Sequence, residues 1–173
     1  MRGAMGGGRG MGSGSGSGPA TPATVALVAA GIPFISHTYA HDPATASFGL
    51  EAATALELDP DRVFKTLLTE ADDQLVVGIV PVTGMLDLKA LATAVGAKRA
   101  VMADPAVAER KTGYVVGGIS PIGQKSRLPV VLDDTASLWP TIFVSGGRRG
   151  FDIELAPDDL LRITGGQRAD IAR

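Results

Sequence analysis

The stretch RVFKTLLTEADDQLVVGIVP, Arg62 to Pro81, decides the fold. Two runs rich in Val, Leu, Ile, Phe and Thr flank Ala71-Asp72-Asp73, and runs of that composition joined by a short polar link read as a β-hairpin. Upstream, FGLEAATALEL (Phe48 to Leu58) reads as a helix with Leu50, Ala53 and Leu58 on or near one face, broken by Asp59-Pro60-Asp61. Before it, IPFISHTYA predicts a strand over Ile32 to Tyr39. TPATVALVAAG predicts a helix capped by Thr21, with Pro22 at its first position and Gly31 at its stop.

Downstream, LDLKALATAVGA places Leu88, Leu91, Ala92 and Val95 at helical spacing, with Asp87 as cap and Gly96 as stop. RAVMA reads as a short strand and DPAVAERKTG as a helix capped by Asp104 and ended by Gly113. LPVVLDD, TIFVSGG and FDIELA read as strands, and PDDLLRIT as a closing helix. Strands and helices mix without strict β-α alternation or internal repeat. The expectation is one compact α+β domain over residues 19–173, with a bent, mixed or mostly antiparallel sheet and surrounding helices. Residues 1–18, MRGAMGGGRGMGSGSGSG, read as a flexible Gly/Ser tail that cannot offset its ordering entropy.

The chain has 173 residues and no cysteine, which excludes disulfides, thiolate metal sites and a protein thiol nucleophile. That fits a reducing compartment. No apolar run approaches the ~18 residues of a membrane span and no secretory signal is visible, so a cytoplasmic location is expected. The net charge of −2 argues against indiscriminate nucleic-acid binding. Yet Lys98 to Gly150 holds eight basic and four acidic residues, a local +4 that leaves −6 elsewhere. A basic surface on an acidic protein suits one defined anionic ligand.

Lys65 lies mid-strand among apolar neighbours. Such a lysine either guards an exposed sheet edge or points into a pocket whose ligand neutralises it. Two irregular loops supply further donors. GGISPIGQKSRLP (Gly117 to Pro129) and SGGRRG (Ser145 to Gly150) combine glycines with Lys125, Arg127, Arg148 and Arg149. Glycine lets a ligand approach the backbone closely, Pro121 stiffens the turn, and N–H groups of such loops can point at a carbonyl or phosphate oxygen. His37 and His41 are four residues apart in β-rich sequence, roughly 13 Å along a strand, too far for one ion. They are expected to be hydrogen-bonded histidines, and no metal or cofactor is implied. No G-x-S-x-G elbow marks a serine nucleophile.

The segments HTYAHDP, SFG, FKTLL, MADP, TGYVVGGISPIGQKSRLP, VSGGRRGFDIEL and ADIA, in this order, closely resemble the free-standing Cys-tRNA(Pro) deacylases of the YbaK/EbsC family. These are relatives of the editing domain inserted in bacterial prolyl-tRNA synthetases. The resemblance spans about Thr21 to Arg173. It implies a trans-editing enzyme acting on the ester at an acylated tRNA 3′ CCA end, with prolyl-tRNA synthetase as a family-level partner and no membrane. Carried over by motif, Lys65 would hold the phosphate region of the terminal nucleotide. Gly117 to Pro121, Ser120 included, would position the aminoacyl carbonyl, and backbone N–H groups near Gly117, Gly118 and Ile119 are expected to stabilise its oxyanion. Tyr39, Phe48, Gly49 and Thr66 would line the pocket, with Ser145 and Asp152 as polar groups and Asp152 on the α-amino group. Lys125, Arg127, Arg148 and Arg149 would supply basic tRNA contacts. Position 40 is Ala where relatives often carry an acidic residue. The implied chemistry is attack by the substrate's own thiol on its ester. The alternatives are a related deacylase of Ala-tRNA(Pro) or broader range, and a non-catalytic tRNA-end-binding module.

Overall fold

A computed structural model describes residues 18–45 and 47–173. The first seventeen residues of the expected tail lie outside the described residues. The opening hairpin forms as read. β2 (Phe64–Ala71) and β3 (Gln74–Pro81) pair antiparallel from Phe64↔Pro81 to Ala71↔Gln74. Asp72 closes the two-residue turn at φ +51, a left-handed conformation that Asp tolerates better than most residues. Its carboxylate accepts the N–H groups of Lys98 and Arg99, which ties the turn to the chain entering β4 (Ala100–Met102).

Around this hairpin the strands order β4-β2-β3-β5-β8, with β5 (Val130–Asp133) and β8 (Gln167–Ala169) added in parallel to β3. A second, antiparallel sheet orders β1-β7-β6, from Ile35–Thr38, Phe151–Leu155 and Ile142–Arg148. A single parallel bridge, Val63↔Phe143, joins the two sheets. The expected bent mixed sheet is therefore divided in two at its bend. The larger core lies between the sheets and includes Phe64, Leu68, Ile79, Leu132, Val144 and Ile153. A smaller one packs α3 (Leu88–Ala94) against the other face of the five-stranded sheet.

The helix starts follow the capping chemistry in the sequence. Thr21 forms a reciprocal cap with Thr24 before α1 (Pro22–Ala29). Asp87 accepts from the Ala90 N–H at α3, and Asp104 from the Ala106 N–H at α4 (Pro105–Thr112). Two expectations need correction. The strand expected over Ile32 to Tyr39 begins at Ile35, because Ile32 and Phe34 turn into the core beside α1. In α2 (Phe48–Ala55), Leu50 is exposed and Ala52 and Ala53 make the buried face. A 3-10 turn over Asp134–Leu138 and the strand β8 carry no apolar alternation and were not anticipated. α5 (Pro157–Thr164) closes the layer as expected.

Candidate active site

The chemistry gathers where β2 loses its neighbour. β4 pairs only with Thr69, Glu70 and Ala71, and the bridge to the second sheet is at Val63. Between them, Phe64 to Leu68 have no strand partner on the outer edge among the described residues. The Val82 N–H donates to the Val63 carbonyl at 2.8 Å, which turns the main chain of odd-numbered β2 residues toward β3. Even-numbered residues face outward, and Leu68 O accordingly accepts from the Ala103 N–H. Thr66 thus presents its peptide groups to a cleft of about 330 Å³.

Lys65 and Thr66 both line this cleft. No ion pair among the described residues involves the Lys65 ammonium. The Thr66 hydroxyl is buried without a hydrogen-bond partner among the described residues, a costly condition. Opposite them, Ser145 on β6 faces Asp152 on β7 in register, next to a bulge between Ser145 and Arg148. Asp152 is 6% exposed, and burial pushes its carboxyl up to about 7. Burial, then the negative charges of Asp152 and Glu51, hold the Tyr39 phenol well above its ordinary range. The cleft therefore joins one cation, one buried acid and an apolar wall that includes Ala103 and Ala108.

The glycine loop forms another wall. Gly117 has φ +87, and a Cβ there would lie 2.8 Å from the Phe48 ring. Gly118 packs still closer to the second loop, where a Cβ would meet Arg148 Cα at 2.7 Å and Arg149 N at 2.9 Å. The Gly118 N–H donates to Val115 O at 2.9 Å. It is therefore spent inside the loop, which corrects its expected role as an oxyanion donor. Among the described residues, no hydrogen bond uses the N–H of Gly117 or Ile119, and both residues line the cleft.

Tyr39, Phe48, Gly49, Lys65, Thr66, Gly117, Ile119, Ser145 and Asp152 are thus brought together. Ser120 is not a cleft residue. It is fully buried and its hydroxyl accepts from the Ile122 N–H, which staples the loop. Pro121 and Arg127 line a separate cavity against Ile163 and Thr164 of α5. The main chain at Lys125 and Ser126 is laced to Thr112 and Lys111, with the Lys125 side chain exposed. Arg148 is exposed at the end of β6. Arg149 reaches the cleft wall, donating to the Val116 carbonyl and lying over Phe48. The two histidines each meet a carboxylate, His37 with Glu154 at 2.9 Å and His41 with Glu51 at 3.0 Å. Sequence reading missed Glu51, which also accepts the Asp42 N–H. Nothing in the spacing of His41 and Glu51 announces their contact across the turn.

A second groove, between α1 and β1, has no ionisable side chain in its wall, so the charged chemistry belongs to the β2 cleft. The profile of the aminoacyl-tRNA editing domain matches residues 42–163, which contain nearly all of that cleft. The chain belongs to the aminoacyl-tRNA editing domain family. Within it, 120 residues are 43% identical to an Enterococcus faecalis protein named as the Cys-tRNA(Pro)/Cys-tRNA(Cys) deacylase EbsC, covering 69% of this chain and 73% of that one. A proline–tRNA ligase of Moorella thermoacetica is 36% identical over 83 residues, 48% of this chain and 14% of the ligase. A crystal structure described as a trans-editing enzyme for prolyl-tRNA synthetase superposes with a TM-score of 0.75 at 26% identity, over 88% of this chain and 95% of that one. That superposition extends beyond the residues of the profile match.

Proposed function

We propose that this protein is a trans-acting deacylase that clears cysteine from mischarged tRNA(Pro), with residues 19–173 as the catalytic domain. The observation that carries the reading is that Lys65, Gly117, Ile119 and the buried Asp152 line one cleft, with no hydrogen bond among the described residues using the N–H of Gly117 or Ile119. Family membership and the named deacylase among its relatives support the same chemistry.

Lys65 holds the phosphate side of the terminal nucleotide through a charge-assisted contact. Asp152 takes the α-amino group, and Thr66 forms part of the pocket wall beside it. Gly117 and Ile119 point N–H donors at the ester carbonyl, where negative charge develops in the transition state. The sulfur of the bound cysteinyl group attacks its own carbonyl carbon. A C–S bond forms, the bond to the 3′ oxygen breaks, and the thiol proton ends on that oxygen. The products are a cyclic thioester and free tRNA. The protein supplies orientation and oxyanion stabilisation, and no nucleophile of its own is required. Prolyl-tRNA synthetase is the proposed source of tRNA selection, a reading supported by the likeness to part of a proline–tRNA ligase.

The test is a single-turnover assay at enzyme excess with Cys-tRNA(Pro). Release of the amino acid well above the spontaneous rate is expected. Tight binding with an intact ester would identify a non-catalytic end-binding module, and preferential clearance of Ala-tRNA(Pro) a deacylase of other specificity.

A further inference from the structure

Arg149 is bound into the cleft wall in a way that a simple phosphate grip does not need. Its Nε and Nη2 both donate to the Val116 carbonyl oxygen, at 3.0 and 2.7 Å. Its Cζ lies 5.1 Å from the centroid of the Phe48 ring. Phe48 is in turn stacked by His41, with centroids 5.8 Å apart and planes at 30°, and His41 is held through Nδ1 by Glu51. Val116 and Phe48 both line the cleft, so the guanidinium stands one residue outward from the cavity. The side chain is nonetheless exposed.

These contacts fix a flat cation before any ligand arrives. Two of the five guanidinium N–H groups are occupied, and much of the rotamer freedom is already lost. What stays open is exposed surface beside Val116 and Phe48, on the wall of the cleft. Single-stranded RNA ends are gripped by stacking bases on aromatic and guanidinium planes. Arg148, exposed and without an ion pair among the described residues, is the better placed of the two for a phosphate.

We propose that Arg149 is a stacking platform for the nucleobase that adjoins the acylated terminal nucleotide. The inference rests on the reading that the cleft takes an RNA 3′ end. It is tested by binding alone, so that it stands apart from the hydrolytic chemistry. The probe is an uncharged RNA hairpin ending in CCA, intact or abasic at the penultimate position, titrated against the wild type and R149K. Removing the base should weaken the wild type about tenfold, as one lost stack would. R149K keeps the charge and loses the plane; it should bind the intact end about tenfold more weakly and ignore base removal. Equal losses on base removal in both proteins, wild-type indifference to the base, or R149K binding like the wild type would each overturn the proposal. The wild-type arm does not depend on how R149K folds. Failure to hydrolyse Cys-tRNA(Pro), scored separately, would count against the deacylase reading and not against the platform.

Discussion

Lys65 and Asp152 carry opposite burdens in the cleft. Lys65 is half-buried with no ion pair among the described residues, and on the proposed reading its partner comes with the substrate. Lys65→Ala should reduce kcat/KM about a hundredfold, for a charged hydrogen bond on the order of 3 kcal/mol, with little change in melting temperature. Asp152 is held near 7 by burial, above its ordinary 3.8. A carboxyl raised on folding stabilises the native state only while protonated. Its contribution is whole below 3.8 and lost as pH rises through about 7. Asp152→Asn should therefore match the wild type in urea melts at low pH and exceed it at pH 8, by no more than about 4 kcal/mol. The ionised form is the one that binds ammonium. Affinity for a non-hydrolysable alanyl-amide analogue of the RNA end should rise through pH 7 in the wild type and stay flat in the variant. A flat wild-type profile would remove Asp152 from that role.

The elements explain which parts of the site were legible. The β2–β3 hairpin, the capped helices and the order of segments were readable, because alternation, caps and turn residues are local signals. Lys65 was readable as an anomaly on an apolar strand. What was not readable depends on strand neighbours. The β4 pairing stops at Thr69 and the bridge to the second sheet lies at Val63, and the gap between them opens the edge of β2. The burial that shifts Asp152 is set by two loops and a second sheet. Ser120, polar and in the right loop, proved to be an internal staple. The two loops must also fit each other. Gly118→Ala would force a methyl to 2.7 Å from Arg148 Cα and part them, at a cost of about 1–3 kcal/mol for such overpacking. Its activity should fall further than its stability, and an unperturbed kcat/KM would mean that the loop contact does not shape the cleft. The C-terminal ADIA motif also gains a physical reason. Asp133, fully buried on β5, accepts the N–H groups of Ile171 and Ala172 through one oxygen, at 2.9 Å each. Asp133→Ala should cost about 3 kcal/mol by orphaning these donors, read as a lower urea midpoint and earlier proteolysis of the C-terminus.

At the scale of the whole molecule, a net charge of −2 with a local +4 between Lys98 and Gly150 fits the proposed reading, in which one RNA end is the ligand. The basic residues are not gathered in one place: Arg149 lies against Val116 and Phe48 of the cleft wall, Arg127 lines the cavity beside α5, and Lys125 and Arg148 are exposed. The absence of cysteine from the chain agrees with a mechanism in which the reacting sulfur belongs to the substrate. That division of labour is the central claim, and it sets the specificity. A protein that only orients an ester and holds its oxyanion accelerates substrates that bring their own nucleophile. The measurement that tests this most directly compares initial deacylation rates of tRNA(Pro) charged with cysteine and with serine, which differ by one atom. Cys-tRNA(Pro) should be cleared rapidly and Ser-tRNA(Pro) should decay near its spontaneous rate. Equal clearance of the two would contradict the account.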